Sequence, residues 1–479
     1  MRIKEIIMIQ ANEEFDIAII GAGPGGYVAA IKAAQRGKKV ALIEKDALGG
    51  TCLNWGCIPT KTLLSSAKIL QTIAHAKEFG ISISSYSFDY SLIKKRKDEI
   101  VLSIRKSLEG LLKSHGVHTI KGQAKFTSAQ SLKILAEKES FSLSAKKIII
   151  ASGSTTLDFK DFPCDHTHIL NSTSILEMNE LPSSLIIIGG GYIGCEFASL
   201  YADLGVKVTI LEAAPSIIST QGAVLSSYLT KIFKDKGITI LTDVNIKNAR
   251  VLANEVIVSL ADGKELKAEK ALVSIGRKIV SDGLDIEKAG LTTSERKTLI
   301  VNDHMETEVS GIYAIGDVTG IAMLAHVASH QGIVAADNAC GIDALMHYDA
   351  IPAVIFTDPE IATVGMTLEQ ALQRNIPATS GRFPFQALGK AQASSHTEGF
   401  AEIVIHTKTK QILGAQVVGH EASSLIGQMA VAIQNELTVE CLIETIHPHP
   451  TMTEVWLEAA LLATGMPIHL PPKTKKISP

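Results

Sequence analysis

Two stretches of the chain share one pattern of apolar and polar positions. FDIAIIGAGPGGYVAAIKAAQRGKKVALIEK (15–45) and SLIIIGGGYIGCEFASLYADLGVKVTILEA (184–213) each open with an apolar run and pass through a glycine cluster. Both then carry apolar residues at helical spacing and end in a second apolar run. The pattern predicts a buried strand, a tight turn, an amphipathic helix and a second buried strand, twice over. Gly21, Gly23 and Gly26 align with Gly189, Gly191 and Gly194; further on, Ala30 matches Ala198, Gly37 matches Gly205 and Glu44 matches Glu212. Similar apolar runs in KKIIIASGS (146–154), KALVSIGRK (270–278) and SGIYAIGDVTG (310–320) predict more buried strands, the last leading into a turn and helix. Between the copies, 89–116 reads as a polar inserted helix whose charge run KKRKDE predicts a solvated face. From 351 onward, IPAVIFTDPEIATVG, FAEIVIHTKTKQILGAQVVG and a helical tail predict a mixed α+β unit, and the terminal PPKTKKISP reads as disordered.

The glycine spacing has a physical reading. The first glycine permits a tight turn, the second lets a pyrophosphate approach the backbone, and the third lets the helix pack on the strand. Free N–H groups at the helix start then bind the phosphates, and an acid ending the second strand accepts from a ribose hydroxyl. Two such units predict two bound dinucleotides and an α/β fold of two Rossmann-like domains plus a C-terminal α+β domain. The expected boundaries are 1–155 and 156–280 for the two nucleotide units, 281–350 for a return to the first, and 351–479 for the last. Glu212, followed by Ala213-Ala214-Pro215 with no arginine, favours NAD over NADP.

Composition changes this picture little. The chain has 479 residues, 46% hydrophobic and 20% charged, with a net charge of −3. That balance offers no electrostatic case for nucleic acid, and no apolar run reaches the roughly 18 residues of a membrane span. The N-terminal MRIKEIIMIQANEEFD has too short an apolar patch for a signal peptide and too many acids for a transit peptide. Six scattered cysteines do not form a secreted disulfide framework, so a cytoplasmic setting is expected.

Cys52 and Cys57, in GGTCLNWGCIPTK (49–61), are the chemical exception. Cys164, Cys195, Cys340 and Cys441 supply no second pair for zinc, and read as inert core residues; no metal site is expected. A redox disulfide is the better reading of the close pair. Five residues of regular helix rise about 7.5 Å, more than the roughly 4.4–6.8 Å Cα span of a disulfide. A departure from helix is therefore predicted between them, with Gly56 a plausible place. A reacting thiol also needs a proton acceptor. His449, with Glu454 five residues on, is a candidate; a surface histidine and a Thr451–Glu454 capping box with Pro450 at a helix start are the alternatives. Asp317 reads either as a helix cap or as a ligand for a cofactor's polyol chain.

GGTCLNWGCIPTK together with HPHPTMTE (447–454) resembles the flavin-dependent pyridine nucleotide–disulfide oxidoreductases, and in particular their dihydrolipoamide-oxidising members. IGAGPGGYVAAI, ASGS, GGGYIGCE, AIGDV, AHVASHQG and FTDPEIATVG extend the resemblance, in the family's order, over nearly the whole chain. The resemblance implies FAD in the first unit, NAD in the second, and a homodimer formed through the C-terminal domain. It implies that Cys52 exchanges with substrate, that Cys57 faces the flavin, and that His449 of a second subunit, oriented by Glu454, is the acid–base. Lys61 would lie near the flavin and pair with Glu196, and Asp317 would bind the ribityl chain. Ser152, Gly153, Ala325 and Gly276 would add cofactor contacts, and Tyr192 would cover the nicotinamide pocket or pack in the core. The implied partners are the lipoyl and subunit-binding domains of an acyltransferase. Thr155-Thr156, where relatives often have a proline nearby, and the less acidic AHVASHQG depart from the family pattern. The rival expectations are an NADPH-dependent reductase of the glutathione reductase type and a docking subunit with an idle redox site.

Overall fold

A computed structural model of the chain describes residues 14–157 and 159–471. Residues 1–13 of the N-terminal stretch weighed for targeting, and the terminal residues from 472 expected to be disordered, lie outside the described residues. The strand Glu14–Ile20 is apolar on both faces and accordingly sits mid-sheet, parallel to Val40–Glu44 on one side and Ser140–Ile150 on the other. His118–Lys121 extends one edge in parallel, and the hairpin Gln123–Ser128/Ser131–Leu135 continues the other edge in antiparallel fashion. Ile312–Ala314 returns more than 160 residues later to pair in parallel with Ser140–Ile150.

The second copy repeats the central motif. Ser184–Ile188 lies between Lys207–Leu211 and Lys270–Val273, with Thr239–Leu241 and Ile169–Asn171 outside them, all parallel. The chain crosses between the two units twice, and the crossings meet: Ser154–Thr156 pairs antiparallel with Arg277–Ile279. The C-terminal part is a five-stranded antiparallel sheet backed by the helices Ala422–Gln434 and Glu454–Ala463. Trp456 is fully buried between those helices, its indole N–H donating to Leu425 O at 3.1 Å. The fold is thus α/β with two doubly wound nucleotide-type units and an α+β C-terminal domain.

The inserted helix forms as Tyr90–Ser114, with Asp89 capping it through Ser91 N–H. Its charge run is not simply solvated. Lys97 is 2% exposed; its Nζ donates to Leu176 O at 2.9 Å and pairs with Asp98 at 2.6 Å and Glu177 at 3.3 Å. The turn Ser174–Glu177 covers that side of the helix, so the lysine stem is used as apolar surface while its ammonium finds three oxygens. The cysteines read as core also divide: Cys195 is buried, Cys164 and Cys340 are half-buried, and Cys441 is exposed on a short surface helix.

Close helix–strand contact at the first turn is sharply limited. A Cβ on Gly26 would stand 1.8 Å from Gly21 O. Gly26→Ala is expected to cost about 3 kcal/mol or more by forced overpacking, seen as a lower urea midpoint. An unchanged midpoint contradicts this packing.

Candidate redox site between two nucleotide turns

The two glycine turns have the same construction. Gly21 and Gly189 hold φ of +100° and +105°, a conformation open to glycine, and a Cβ there would meet Ala151 O at 2.3 Å or Ser274 O at 2.6 Å. Gly26 and Gly194 press against the carbonyls of those first glycines, at 1.8 and 2.0 Å from a hypothetical Cβ. The middle glycines differ: a Cβ on Gly23 would meet nothing nearer than 3.9 Å, and one on Gly191 nothing within 4 Å. Each is the N-cap of its helix, Pro24–Gln35 or Tyr192–Asp203, and neither helix start has a side-chain cap. Open space beside uncapped N–H groups fits a pyrophosphate in both places. The acids are equivalent as well. Glu44 accepts from Ala22 N at 2.8 Å and Asp46 N at 2.7 Å; Glu212 accepts from Gly190 N at 2.6 Å and Ala214 N at 2.7 Å. Both turns and both acids open on one continuous groove of about 1830 Å³.

Cys52 and Cys57 line the same groove. The helix Gly50–Trp55 stops at Gly56 (φ −144°, ψ −106°), and a new helix, Cys57–Ala74, starts directly after it. The predicted departure from helix therefore falls at Gly56, and it brings the two thiols into hydrogen-bonding contact. Both are free thiols in this structure. The Cys52 thiol donates to Cys57, which holds Cys52 protonated and, with help from the Lys61 charge and against burial, lowers Cys57 to about 7. Cys57 also stands first in an 18-residue helix, where the helix dipole favours an anion. Lys61, one turn further on, pairs with Glu196 at 2.8 Å and lies 4.4 Å from the centre of the Phe356 ring. Glu196 is 5% exposed, and its other oxygen accepts from Phe356 N at 2.9 Å. The cysteine helix, the second glycine-turn helix and the C-terminal domain are pinned together at this pair.

On the groove's far wall, Arg277 Nε donates to Ser154 Oγ at 2.7 Å, and Ser154 in turn donates to Asp317. Asp317 is not the cap of the following helix, which begins at Ala325 after Leu324. Ser152 Oγ donates to Val280 O at 2.6 Å; Gly153 and Gly276 hold φ of +70° and +137°. Ala325 and Tyr192 also line the groove, and Tyr192, 43% exposed, is not a core residue. Sequence reasoning missed Ser154, Arg277, Phe356 and His326 as groove residues, although each lies in or beside a quoted motif. His326 donates from Nε2 to Pro352 O at 2.8 Å.

His449 and Glu454 come together, but not in this groove. His449 Nδ1 donates to Glu454 Oε1 at 2.8 Å, and Glu454 Oε2 accepts from Thr451 N at 2.8 Å. Against the opposing effect of burial, the Thr451 N–H and His449 hold the Glu454 carboxyl below its usual range. The helix starts at Glu454 rather than at Pro450, and the Thr451 hydroxyl turns to Pro448 O instead of completing a capping box. The imidazole is 74% exposed, leaving Nε2 free to act outside its own chain.

In the reduced protein, alkylation of Cys57 by iodoacetamide should reach half its maximal rate near pH 7. Cys52→Ala removes the thiol that favours the anion and should move that midpoint upward; an unmoved midpoint contradicts the assigned hydrogen bond.

The family profile described as "Pyridine nucleotide-disulphide oxidoreductase" matches residues 15–332, and its "dimerisation domain" matches 351–460. The "Dihydrolipoyl dehydrogenase" of Chlamydia pneumoniae is 48% identical over 97% of this chain and 100% of its own length. That of Geobacillus stearothermophilus is 39% identical over 95% of this chain and 98% of its own. Among solved structures, LpdA from Mycobacterium tuberculosis superposes with a TM-score of 0.89 at 28% identity, covering 93% of this chain and 98% of that one. The flavoprotein disulfide reductase RclA from Escherichia coli does so with 0.84 at 29% identity, covering 93% and 99%. With its two glycine turns, its cysteine pair and these matches over nearly its full length, the chain belongs to the pyridine nucleotide–disulphide oxidoreductase family.

Proposed function

We propose that this protein oxidises protein-bound dihydrolipoamide to lipoamide through the Cys52–Cys57 couple, with FAD and NAD⁺ as electron acceptors in turn. The observation that carries this reading is the single groove holding both glycine turns with the cysteine pair between them. FAD fits the first turn, where Gly23 faces open space and Glu44 ends the second strand. NAD fits the second, where Glu212 lines the groove and Ala213-Ala214-Pro215 after it supply no arginine to receive a 2′-phosphate. When bound, FAD supplies a two-electron relay between the thiols and NAD⁺.

The chain's own residues do the rest. One substrate thiol loses its proton to His449 Nε2, and the resulting thiolate attacks the Cys52 sulfur of the Cys52–Cys57 disulfide. The Cys57 sulfur leaves as a thiolate, which suits its place at a helix start near Lys61. The second substrate sulfur then displaces Cys52, releasing lipoamide and leaving both cysteines reduced. Glu454, locked by Thr451 N–H, fixes the His449 tautomer so that Nε2 is the acceptor. The imidazole lies outside its own chain's groove, so it serves the cysteines of a second copy across the dimerisation domain. Lipoyl and subunit-binding domains of an acyltransferase, in a cytoplasmic setting, complete the proposal; relatives of 37–48% identity carry the dihydrolipoyl dehydrogenase name.

Cys57→Ser should abolish lipoamide turnover while FAD stays bound, and normal turnover would overturn the scheme. Gly191→Ala should leave the urea midpoint unchanged while raising the KM for NAD⁺ several-fold, because its Cβ fills only the open space kept for phosphates. An unaltered KM contradicts that placement. A wild-type preference for NADPH would favour the glutathione reductase type of activity. Absence of NADH formation from dihydrolipoamide would favour a docking role with an idle site.

A further inference from the structure

The C-terminal domain carries a second carboxylate–imidazole pair that the reaction above leaves unused. Glu458 lies one turn after Glu454 on the same helix and is 5% exposed. Its Oε1 accepts from His469 Nδ1 at 2.6 Å, and its Oε2 is buried with no hydrogen-bond partner. The tail is built to bring His469 there. After the helix ends at Ala463, Gly465 at φ +80° reverses the chain, with Gly465 N–H on Leu462 O and Met466 N–H on Leu461 O. The chain then runs back along the helix, level with Glu458 at His469, and Leu470 anchors it against the domain core.

His449–Glu454 and His469–Glu458 therefore hang one turn apart, their carboxylates on one helix face, where i and i+4 side chains stand about 5–6 Å apart at Cβ. In both, the carboxylate accepts a hydrogen bond from Nδ1–H, which leaves Nε2 with a lone pair. The imidazoles are 74% and 68% exposed. Of the other charged or titratable groups nearby, His447 is held on Leu442 O, and Arg382 and Glu402 on the strands beneath the helix are paired with each other at 3.1 Å. Among the described residues, His469 is thus the second carboxylate-held imidazole carried by this helix face.

Oxidation of a dihydrolipoamide by NAD⁺ gives lipoamide, NADH and one proton. That proton enters through His449 and must leave it before the next cycle. We propose that His469, oriented by Glu458, is a positioning residue that carries the proton from His449 Nε2 to solvent, with no electrons moving in the step. The inference rests on the reaction proposed above.

The test is steady-state oxidation of dihydrolipoamide by the full-length FAD-loaded protein, at low and high imidazole concentration. NADH oxidation by ferricyanide, which by-passes the thiols, is the control. His469→Gln should lower the lipoamide kcat about tenfold, short of the 10²–10⁴-fold loss of a direct acid–base. It should leave KM and the ferricyanide rate unchanged, and added imidazole should restore the rate; Glu458→Gln should show the same rescue. A wild-type rate in His469→Gln, or a loss that imidazole does not restore, overturns the relay. Cys57→Ser in the same assay separates the two levels. If it keeps lipoamide turnover, the reaction itself is wrong; if it is inactive while His469→Gln is normal, only the relay fails.

Discussion

The chemistry of this site turns on the close interaction of the Cys52 thiol with the Cys57 sulfur. It makes two identical side chains chemically different: one stays a thiol, the other becomes an anion near pH 7. The bond exists because the chain leaves helical geometry at Gly56 and starts a new helix on Cys57. A continuous helix would spread the residues along its axis and give both sulfurs the same surroundings. In the proposed reaction this asymmetry would separate the two jobs of the couple, with Cys52 exchanging with substrate and Cys57 holding charge inside the groove.

Holding an anion there requires a counter-charge that does not wander. Lys61 supplies it, and Glu196 restrains Lys61 at 2.8 Å while partly offsetting its charge. Glu196 is nearly buried and also takes the Phe356 N–H, so the same carboxylate ties the C-terminal domain to the groove. The ion pair is therefore best understood as a joint among three parts of the fold rather than as a source of stability, since a buried pair recovers little beyond its desolvation cost. It also couples the cysteine helix directly to the second glycine-turn helix.

Much of this was legible in the sequence because its determinants are local. The glycine spacing, the buried strands and the acids ending them each occupy a few consecutive residues, and a break between Cys52 and Cys57, with Gly56 a plausible place, follows from helix rise and disulfide span once the pair is read as a redox disulfide. The Lys61–Glu196 contact, 135 residues apart, came only from family resemblance. Other features depend on what the rest of the chain brings alongside. The burial of Lys97 follows from a turn some 80 residues later that covers it, and the pairing of Ile312–Ala314 with the first sheet has no local signal. Cys441 resembles the other cysteines in composition, yet its short helix faces solvent. His326 was hidden inside a recognised motif because the Pro352 carbonyl that orients it is distant in sequence.

His326 matters because it is an imidazole already inside the groove, whereas His449 lies outside it and in the proposed reaction comes from another chain. The two-chain site is the central claim, and mixed dimers test it directly. Cys57→Ser and His449→Gln subunits, each inactive alone, are unfolded together, refolded, and the mixed species isolated by differential tags. If each site pairs the cysteines of one chain with the imidazole of the other, the mixed dimer contains one intact site and shows half the wild-type lipoamide turnover. An inactive mixed dimer, or a His449→Gln homodimer with normal turnover, would contradict the account.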